Sequence, residues 1–226
     1  MDSIRRPVKK KQKLNNEDKD IISNPPDFII GHILSFLPTK YAVRTCVLSK
    51  RWICFWTSIT KLHLEDRESR SYQKIKKTPF QKLVYRVLSL NTSNIQSFSL
   101  SLSETHAPCH VNKWISQVLN RKVKEVYINS KEKINISPHS RLKTQSLEVL
   151  VLKMNGWAIS VPTLVSLSHL TVLKCSGITF TCDSSNGSED LILNLPVLRK
   201  YEEENCSWLK LKGVTFNVPL LECYLI

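Results

Sequence analysis

Residues 147–152 have the sequence LEVLVL, and residues 170–175 have the sequence LTVLKC. Both stretches are apolar at their first, fourth and sixth positions, and this six-residue phrase recurs along most of the chain. Its first positions are Ile59, Ile95, Val123, Leu147, Leu170, Leu198 and Leu221. Successive starts lie 36, 28, 24, 23, 28 and 23 residues apart. Near-constant spacing of this kind predicts a solenoid built from stacked repeats.

Five of the six intervals fall within the range of roughly 20–29 residues that is typical of leucine-rich repeats. Each repeat then supplies one short strand and one return segment, and stacking joins the strands into a parallel sheet on the concave face. The phrase at Leu198 is the weakest, because Glu203 occupies an inward position. Apolar spacing over residues 79–90 and 111–119 predicts helices in the first two return segments. We therefore predict an α/β fold with about six or seven repeats over residues 58–226.

A different pattern precedes the repeats, because apolar residues between Pro26 and Thr57 follow a helical period that is broken twice. Positions 29, 33, 36 and 37 form one helical face. Pro38 ends this first helix, Thr39 can cap the second, and Ser49 can cap a third. Three helices in so few residues cannot bury much apolar surface by themselves, so we expect this unit to pack against something else.

The charge of the chain is +14, from 33 basic and 19 acidic residues, and it is concentrated near the N-terminus. Residues 1–19 are polar and aperiodic, which predicts a disordered leader. The leader contains a basic cluster formed by Arg5, Arg6, Lys9, Lys10, Lys11 and Lys13. The cluster is either a nuclear localisation signal or a solvated tail, and we expect the protein in the nucleus, the cytoplasm or both. It lacks the interleaved aromatic residues of a nucleic-acid platform, so we predict no nucleic-acid partner.

Patterns typical of catalysis, cofactors or membranes are absent from the sequence. His106, Cys109 and His110 have metal-like spacing but no second ligand pair, so we predict no metal site, no cofactor and no catalytic residue. Seven widely spaced cysteines without a CxxC pair indicate reduced and mostly buried thiols. No apolar run approaches the roughly 18 residues of a membrane span. The acidic loop at residues 183–190 is either a solvated insertion or a phosphorylation or contact site.

The N-terminal residues strongly resemble the F-box of plant F-box/leucine-rich repeat proteins. The resemblance is carried by residues 20–23 (DIIS), 26–27 (PD), 32–40 (HILSFLPTK) and 42–52 (AVRTCVLSKRW). The repeats look like those of the same family, of the type that also carries a C-terminal FBD domain, which we do not find here. We place the F-box at residues 20–57.

Membership of this family implies a non-catalytic subunit of an SCF (SKP–cullin–F-box) E3 ubiquitin ligase. The F-box would dock on the SKP-type subunit, and through it on the cullin and RING subunits, while the repeats hold a protein substrate whose identity the sequence does not reveal. The family's contact positions map onto Pro26, Ile33, Leu34, Leu37, Pro38, Val47, Leu48, Ser49, Trp52 and Trp56. Trp52 and Trp56 have a second possible role, which is to pack the F-box onto the first repeat.

Two departures from the family pattern leave an alternative open. Pro25 stands where relatives usually have leucine, which removes an apolar contact and stiffens the entry to the first helix. The sequence stops within a repeat at residues 220–226, which predicts a C-terminally truncated solenoid with an exposed apolar end. The alternative is a leucine-rich repeat module that binds a protein partner outside a ubiquitin ligase, its F-box being impaired.

Overall fold

The computed structural model describes residues 25–66, 77–131, 146–161, 164–182, 189–209 and 211–225. Within these ranges the helices are α1 (Asp27–Ser35), α2 (Thr39–Arg44), α3 (Lys50–Trp56), α4 (Lys77–Leu90) and α5 (Pro108–Leu119), with a 3-10 turn at Thr45–Val47. The three short helices of the predicted F-box are thus present, and the two predicted return helices are confirmed. Ser49 precedes α3, but its hydroxyl makes no capping hydrogen bond.

Parallel strands follow the first three helices and form one main sheet. Its strands are β1 (Lys61–Glu65), β2 (Ser97–Leu102), β3 (Glu125–Ser130), β4 (Val149–Val161), β6 (Val172–Cys182), β8 (Lys200–Glu204) and β11 (Cys223–Leu225), in that spatial order, with β9 (Ser207–Leu209) paired to the distal half of β6. Every neighbouring pair is parallel and adds one turn to the stack. The predicted solenoid is confirmed.

The register of the main sheet follows the six-residue phrase position by position. The fourth positions pair across it in one row: Leu62, Phe98, Val126, Leu150, Leu173, Tyr201 and Tyr224. Each turn also repeats one hydrogen-bond pattern, in which the carbonyl of the second phrase position accepts two N–H groups of the next turn. The Thr60 carbonyl, for example, accepts from the Gln96 and Ser97 N–H groups at 2.7 and 3.2 Å.

The later return segments are strands rather than helices. For these segments the sequence predicted neither type of element. β5 (Leu164–Ser166), β7 (Glu189–Asn194) and β10 (Leu211–Asn217) form a second parallel sheet in the order β10–β7–β5. The signal was the alternation of Leu191, Leu193 and Leu195, which are all buried. Alternating burial is the pattern of a strand with one face against the core.

In each of three successive turns, one residue with a left-handed backbone conformation forms a corner between the strand of the main sheet and the segment that extends beyond it. Gly156, Gly177 and Asn205 have φ values of 74°, 66° and 52°. Gly177 and Asn205 lie at equivalent positions, because Ser176 pairs with Glu204 and Thr179 with Ser207. Glycine and asparagine are the residues that adopt this conformation most readily, so these corners set where each strand turns.

One hydrophobic core runs from the three N-terminal helices into the repeats. Ile30, Leu34, Trp52 and Trp56 belong to the same buried cluster as Leu62 of β1. The hydroxyl of Thr39 accepts the His63 N–H at 2.7 Å, so this buried side chain joins α2 to β1 instead of capping its own helix. The three N-terminal helices therefore pack on the first repeat, as a unit of their size requires.

Glu203 occupies the sixth, inward-facing position of the repeat phrase in β8, and its carboxylate is hydrogen-bonded there. Its carboxylate accepts one hydrogen bond from Trp208 Nε1 at 2.9 Å and one from the Tyr201 hydroxyl. Burial, followed by the bond to Glu203 and its charge, raises the pKa of Tyr201, so the phenol stays protonated as the donor. Two nearby aromatic donors thus explain how an acidic residue is tolerated where other turns have an apolar one.

The expectation of mostly buried thiols is wrong for the described residues. Of the six cysteines whose side chains the structure describes, Cys175 alone is buried, while Cys54 and Cys109 are exposed. Burial raises the pKa of Cys175, with smaller contributions from Cys206 and Glu203. Cys175 therefore acts as a small core side chain, whereas the exposed cysteines lie at helix positions that the core does not require.

Candidate partner-binding surfaces

Helix α1 has two apolar faces, one buried and one open to solvent. Its buried side chains are Ile30 and Leu34. Its exposed apolar side chains are Phe28, Ile29 and Ile33, and the exposed Phe36 directly follows the helix as its C-cap. At 3.6 residues per turn the exposed positions span about 140° of the helix, so they form a single face. Most of this face is the apolar stripe that the sequence predicted for the helix. The stripe faces solvent, and the neighbouring side chains of Ile30 and Leu34 are the ones that pack in the core.

The segment that follows α1 adds further exposed apolar groups. Val47 in the 3-10 turn is 88% exposed, and Leu48 and Pro38 are also exposed, while Leu37 and Ser49 are half-buried. Pro26 is exposed at the start of α1. Seven of the ten predicted contact positions thus reach the surface at least in part. We call α1 and the segment 36–56 with their exposed apolar side chains the helical surface.

The other three predicted contact residues are buried inside the chain. Leu34 and Trp56 are 1% exposed and Trp52 is 4% exposed. They lie in the core shared with β1, which is the packing role that the sequence left open for the two tryptophans. Any effect they have on a partner would be exerted by holding the helices in place.

Several exposed apolar residues of the helical surface are not among the ten predicted partner contacts. Phe28 and Phe36 are each 73% exposed, and Tyr41 and Ile53 are also exposed. Large apolar groups left in water on so short a segment mark an interaction site more strongly than isolated surface leucines do. Helical spacing alone could have grouped Phe28 with Ile29 and Ile33, but it could not tell which face was buried.

The segment that carries the helical surface is positively charged. Residues 25–64 contain five Lys or Arg residues and one acid, Asp27, which pairs with Arg51. Lys40 and Arg44 both lie 5.9 Å from the centre of the Tyr41 ring. An apolar face with a cationic rim complements an acidic partner surface with apolar pockets.

A second surface is formed by the outward positions of the main sheet, which we call the open face. One row across it contains His63, Ser99, Tyr127, Val151, Lys174 and Glu202, and the next contains Glu65, Ser101, Asn129, Lys153, Ser176 and Glu204. β2 and β3 therefore present uncharged polar groups, whereas β4, β6 and β8 present most of the charges. Hydrogen bonds from Lys174 and Lys200, at 2.7 and 2.8 Å, lower the pKa of Glu202 and keep it ionised.

His106 belongs to a structural hydrogen-bond network, and Asp66 stands at its centre. The buried Asp66 carboxylate accepts the N–H groups of Ser103 and Glu104 at 2.8 and 2.9 Å, and lies 3.1 Å from His106 Nε2. Burial opposes the charge, but the bonds from His106, Ser103 and Glu104 outweigh it and lower the pKa of Asp66. Cys109 is exposed, and the described residues contain no cluster of three potential metal ligands.

Replacing Asp66 with asparagine should lower the free energy of unfolding by about 2 kcal/mol at neutral pH, because hydrogen bonds to a charged group are lost. A lowered folded-state pKa gives stability that is present above the unfolded pKa of about 3.9 and disappears as pH falls through the folded value. The difference in free energy of unfolding between wild type and Asp66→Asn should therefore become smaller below pH 4. Urea unfolding at several pH values measures this difference, and a difference independent of pH would contradict the role of the carboxylate.

Several predicted features lie outside the described residues. They include the basic cluster of Arg5, Arg6, Lys9, Lys10, Lys11 and Lys13, and most of the acidic loop, residues 183–188. The localisation signal stays a prediction. Among the residues that the structure describes, no helix is long and apolar enough to cross a membrane.

The F-box domain family matches residues 22–64, the part of the chain that contains the helical surface and β1. Residues 22–64 thus contain an F-box domain, and the parallel strands of the repeat solenoid follow it. No solved structure gives a significant match to the chain.

Relatives in Arabidopsis thaliana share both parts. An FBD-associated F-box protein is 36% identical over 184 residues, which are 79% of this chain and 44% of the relative. An F-box/FBD/LRR-repeat protein is 30% identical over 222 residues, 96% of this chain and 49% of the relative. An F-box/LRR-repeat protein is 31% identical over 211 residues, 90% of this chain and 54% of the relative. This chain contains an F-box domain and is similar to plant F-box/LRR-repeat proteins, and it spans about half the length of these relatives.

Proposed function

We propose that the chain is a non-catalytic substrate-recognition adaptor of an SCF-type E3 ubiquitin ligase. Residues 20–57 form the F-box that binds the SKP-type subunit and, through it, the cullin and RING subunits. Residues 58–226 form the repeats that bind a protein substrate. The observation that carries the proposal is an apolar face left in water on helices that match the F-box domain.

The division between the two surfaces supports an adaptor role. The helical surface and the open face lie on different elements, yet one continuous core joins them through Trp56 and Leu62. A shared core holds two binding surfaces at a fixed separation, which is what a ligase needs in order to present a substrate to a bound E2 enzyme. The helices are therefore proposed to act as the anchor and the sheet as the receptor.

Placing aspartate at both Ile33 and Val47 should weaken binding to a purified plant SKP-type subunit by about 100-fold or more, because each removes an apolar contact and buries a charge in the interface. The free energy of unfolding should change by less than about 1 kcal/mol, since both side chains reach solvent. Titration calorimetry and urea unfolding of the same preparations separate the two effects.

Ile192 provides a matched control for this experiment. It is 45% exposed on β7 of the second sheet, against 41% for Ile33, and it lies outside the helical surface. Ile192→Asp should leave affinity for the SKP-type subunit unchanged. Equal binding by the double variant and wild type would show that the helical surface is not the docking site.

A further inference from the structure

The open face contains two adjoining depressions of opposite chemical character. The first, of about 310 Å³, is lined by Ser99, Tyr127, Ile128, Asn129, Val151, Lys153 and Lys174. The second, of about 380 Å³, is lined by Leu152, Lys153, Lys174, Cys175, Ser176, Glu202, Glu203, Glu204 and Leu225. Both include Lys153 and Lys174. The described lining of the first contains no carboxylate, whereas that of the second contains three.

The first depression is suited to an acidic group. Lys153 is exposed and forms no ion pair with another described residue, whereas Lys174 pairs with Glu202. Asn129 lines the same depression with an amide that can donate hydrogen bonds, while the hydroxyls of Ser99 and Tyr127 pair with His63 and Glu125 at 3.0 and 3.5 Å. A carboxylate placed there would meet the Lys153 ammonium group and the Asn129 amide, and the described lining itself contains no carboxylate.

The second depression is suited to a basic group. Glu202 already lies between Lys174 and Lys200, at 2.7 and 2.8 Å. Glu204 is exposed and accepts a hydrogen bond from the Ser176 hydroxyl at 3.3 Å, but it forms no ion pair with another described residue. Glu204 is therefore the acid that a ligand's ammonium or guanidinium group can reach.

Register fixes the separation between the backbone positions of Lys153 and Glu204. Lys153 pairs with Ser176, and Ser176 pairs with Glu204, so the two residues lie in one row two strands apart. Two strand spacings amount to about 9.5 Å. In an extended polyproline-II segment, side chains three residues apart lie about 9 Å apart on the same side. The two distances agree.

We propose that the open face binds an extended peptide segment of the substrate that carries an acidic and a basic side chain three residues apart. The acidic side chain binds Lys153 and the basic one binds Glu204, with Val151 and Tyr127 contacting the acidic end. This inference rests on the proposed function only in taking the substrate to be a protein. It adds a charge pattern that substrate segments would share.

Fluorescence anisotropy of the full chain with labelled nonapeptides tests the proposal. The probes carry Glu-x-x-Lys or Lys-x-x-Glu in an otherwise identical neutral sequence, with Glu-x-x-Glu, Lys-x-x-Lys and Gln-x-x-Gln as controls. One of the two opposite-charge orders should bind at least about tenfold more tightly than every control, because only it satisfies both charges.

Charge reversal of the protein gives the sharpest readout. Lys153→Glu and Glu204→Lys should each weaken the preferred peptide about tenfold, while the double variant should prefer the opposite order of charges. Lys82→Glu, on α4, is the control and should change neither the affinity for the preferred peptide nor the preferred order of charges. Equal binding of the neutral peptide, no saturable binding at sub-millimolar concentrations, or an unchanged order in the double variant would overturn the proposal.

Binding of the SKP-type subunit, measured on the same preparations, keeps the two proposals separate. Wild type that binds the subunit but shows no charge preference among peptides refutes this inference alone. Wild type that selects a peptide order but does not bind the subunit refutes the adaptor role alone. A nonspecific polyanion site would bind Glu-x-x-Glu at least as tightly as either opposite-charge peptide, and that result would also overturn the inference.

Discussion

Replacing Gly177 with alanine is expected to lower the free energy of unfolding by about 3 kcal/mol or more, because it combines a strained backbone with a steric clash. Gly177 has a φ of 66° and forms the left-handed corner of β6. A Cβ atom at this position would lie 1.8 Å from the carbonyl oxygen of Met154, and a backbone atom of the neighbouring turn cannot move aside cheaply. Urea unfolding followed by tryptophan fluorescence measures the loss.

Gly156 is a matched control for this prediction. Its φ is 74°, but a Cβ there has no neighbour within 4 Å, so alanine meets the backbone cost without the clash. Gly156→Ala should cost about 1–2 kcal/mol, the usual left-handed penalty of an L-residue. Equal losses for the two variants would mean that the corner of β6 is not as closely packed against β4 as described.

Trp56→Ala is expected to destabilise the chain by about 3–5 kcal/mol, the range for removing a large aromatic side chain from a core. Trp56 is 1% exposed and lies in the cluster that joins the F-box helices to β1. Its loss would leave a cavity where the two parts meet, so affinity for the SKP-type subunit should fall together with helix stability. Thermal and urea unfolding measure the first effect, and calorimetry the second.

Ile53 lies on the same helix and supplies the comparison, because it is 42% exposed. Ile53→Ala should change the free energy of unfolding by no more than about 0.5–1 kcal/mol, as surface truncations usually do. A Trp56→Ala variant as stable as Ile53→Ala would show that the F-box does not depend on the shared core.

The repeat architecture could be predicted because the same phrase recurs seven times and each recurrence has the same physical meaning. The phrase placed the strands and even their register, since Leu62, Phe98 and Val126 pair across neighbouring turns as its fourth positions require. Breaks at Pro38 and Ser49 likewise separated three short helices. Local patterns carry this information because strand and helix periods depend only on backbone geometry.

The faces that matter for binding were harder to predict. The apolar stripe through Ile29 and Ile33 indicated a helix, but only the tertiary packing of Ile30 and Leu34 decides which side meets the core. A helix with two apolar faces is ambiguous in the sequence because a docking face and a core face have the same composition. The pairing of Glu203 with Trp208 was also out of reach, since it depends on a turn between β8 and β9.

Titration of the wild-type chain with a purified plant SKP-type subunit tests the central claim most directly. We expect a one-to-one complex of sub-micromolar affinity, and we expect the double substitution of aspartate at Ile33 and Val47 to weaken it by about 100-fold or more. Absence of binding by a chain that unfolds cooperatively, and is therefore folded, would contradict the adaptor role. The protein would then be a repeat module that binds its partner outside a ubiquitin ligase, with Pro25 as the first residue to restore to leucine.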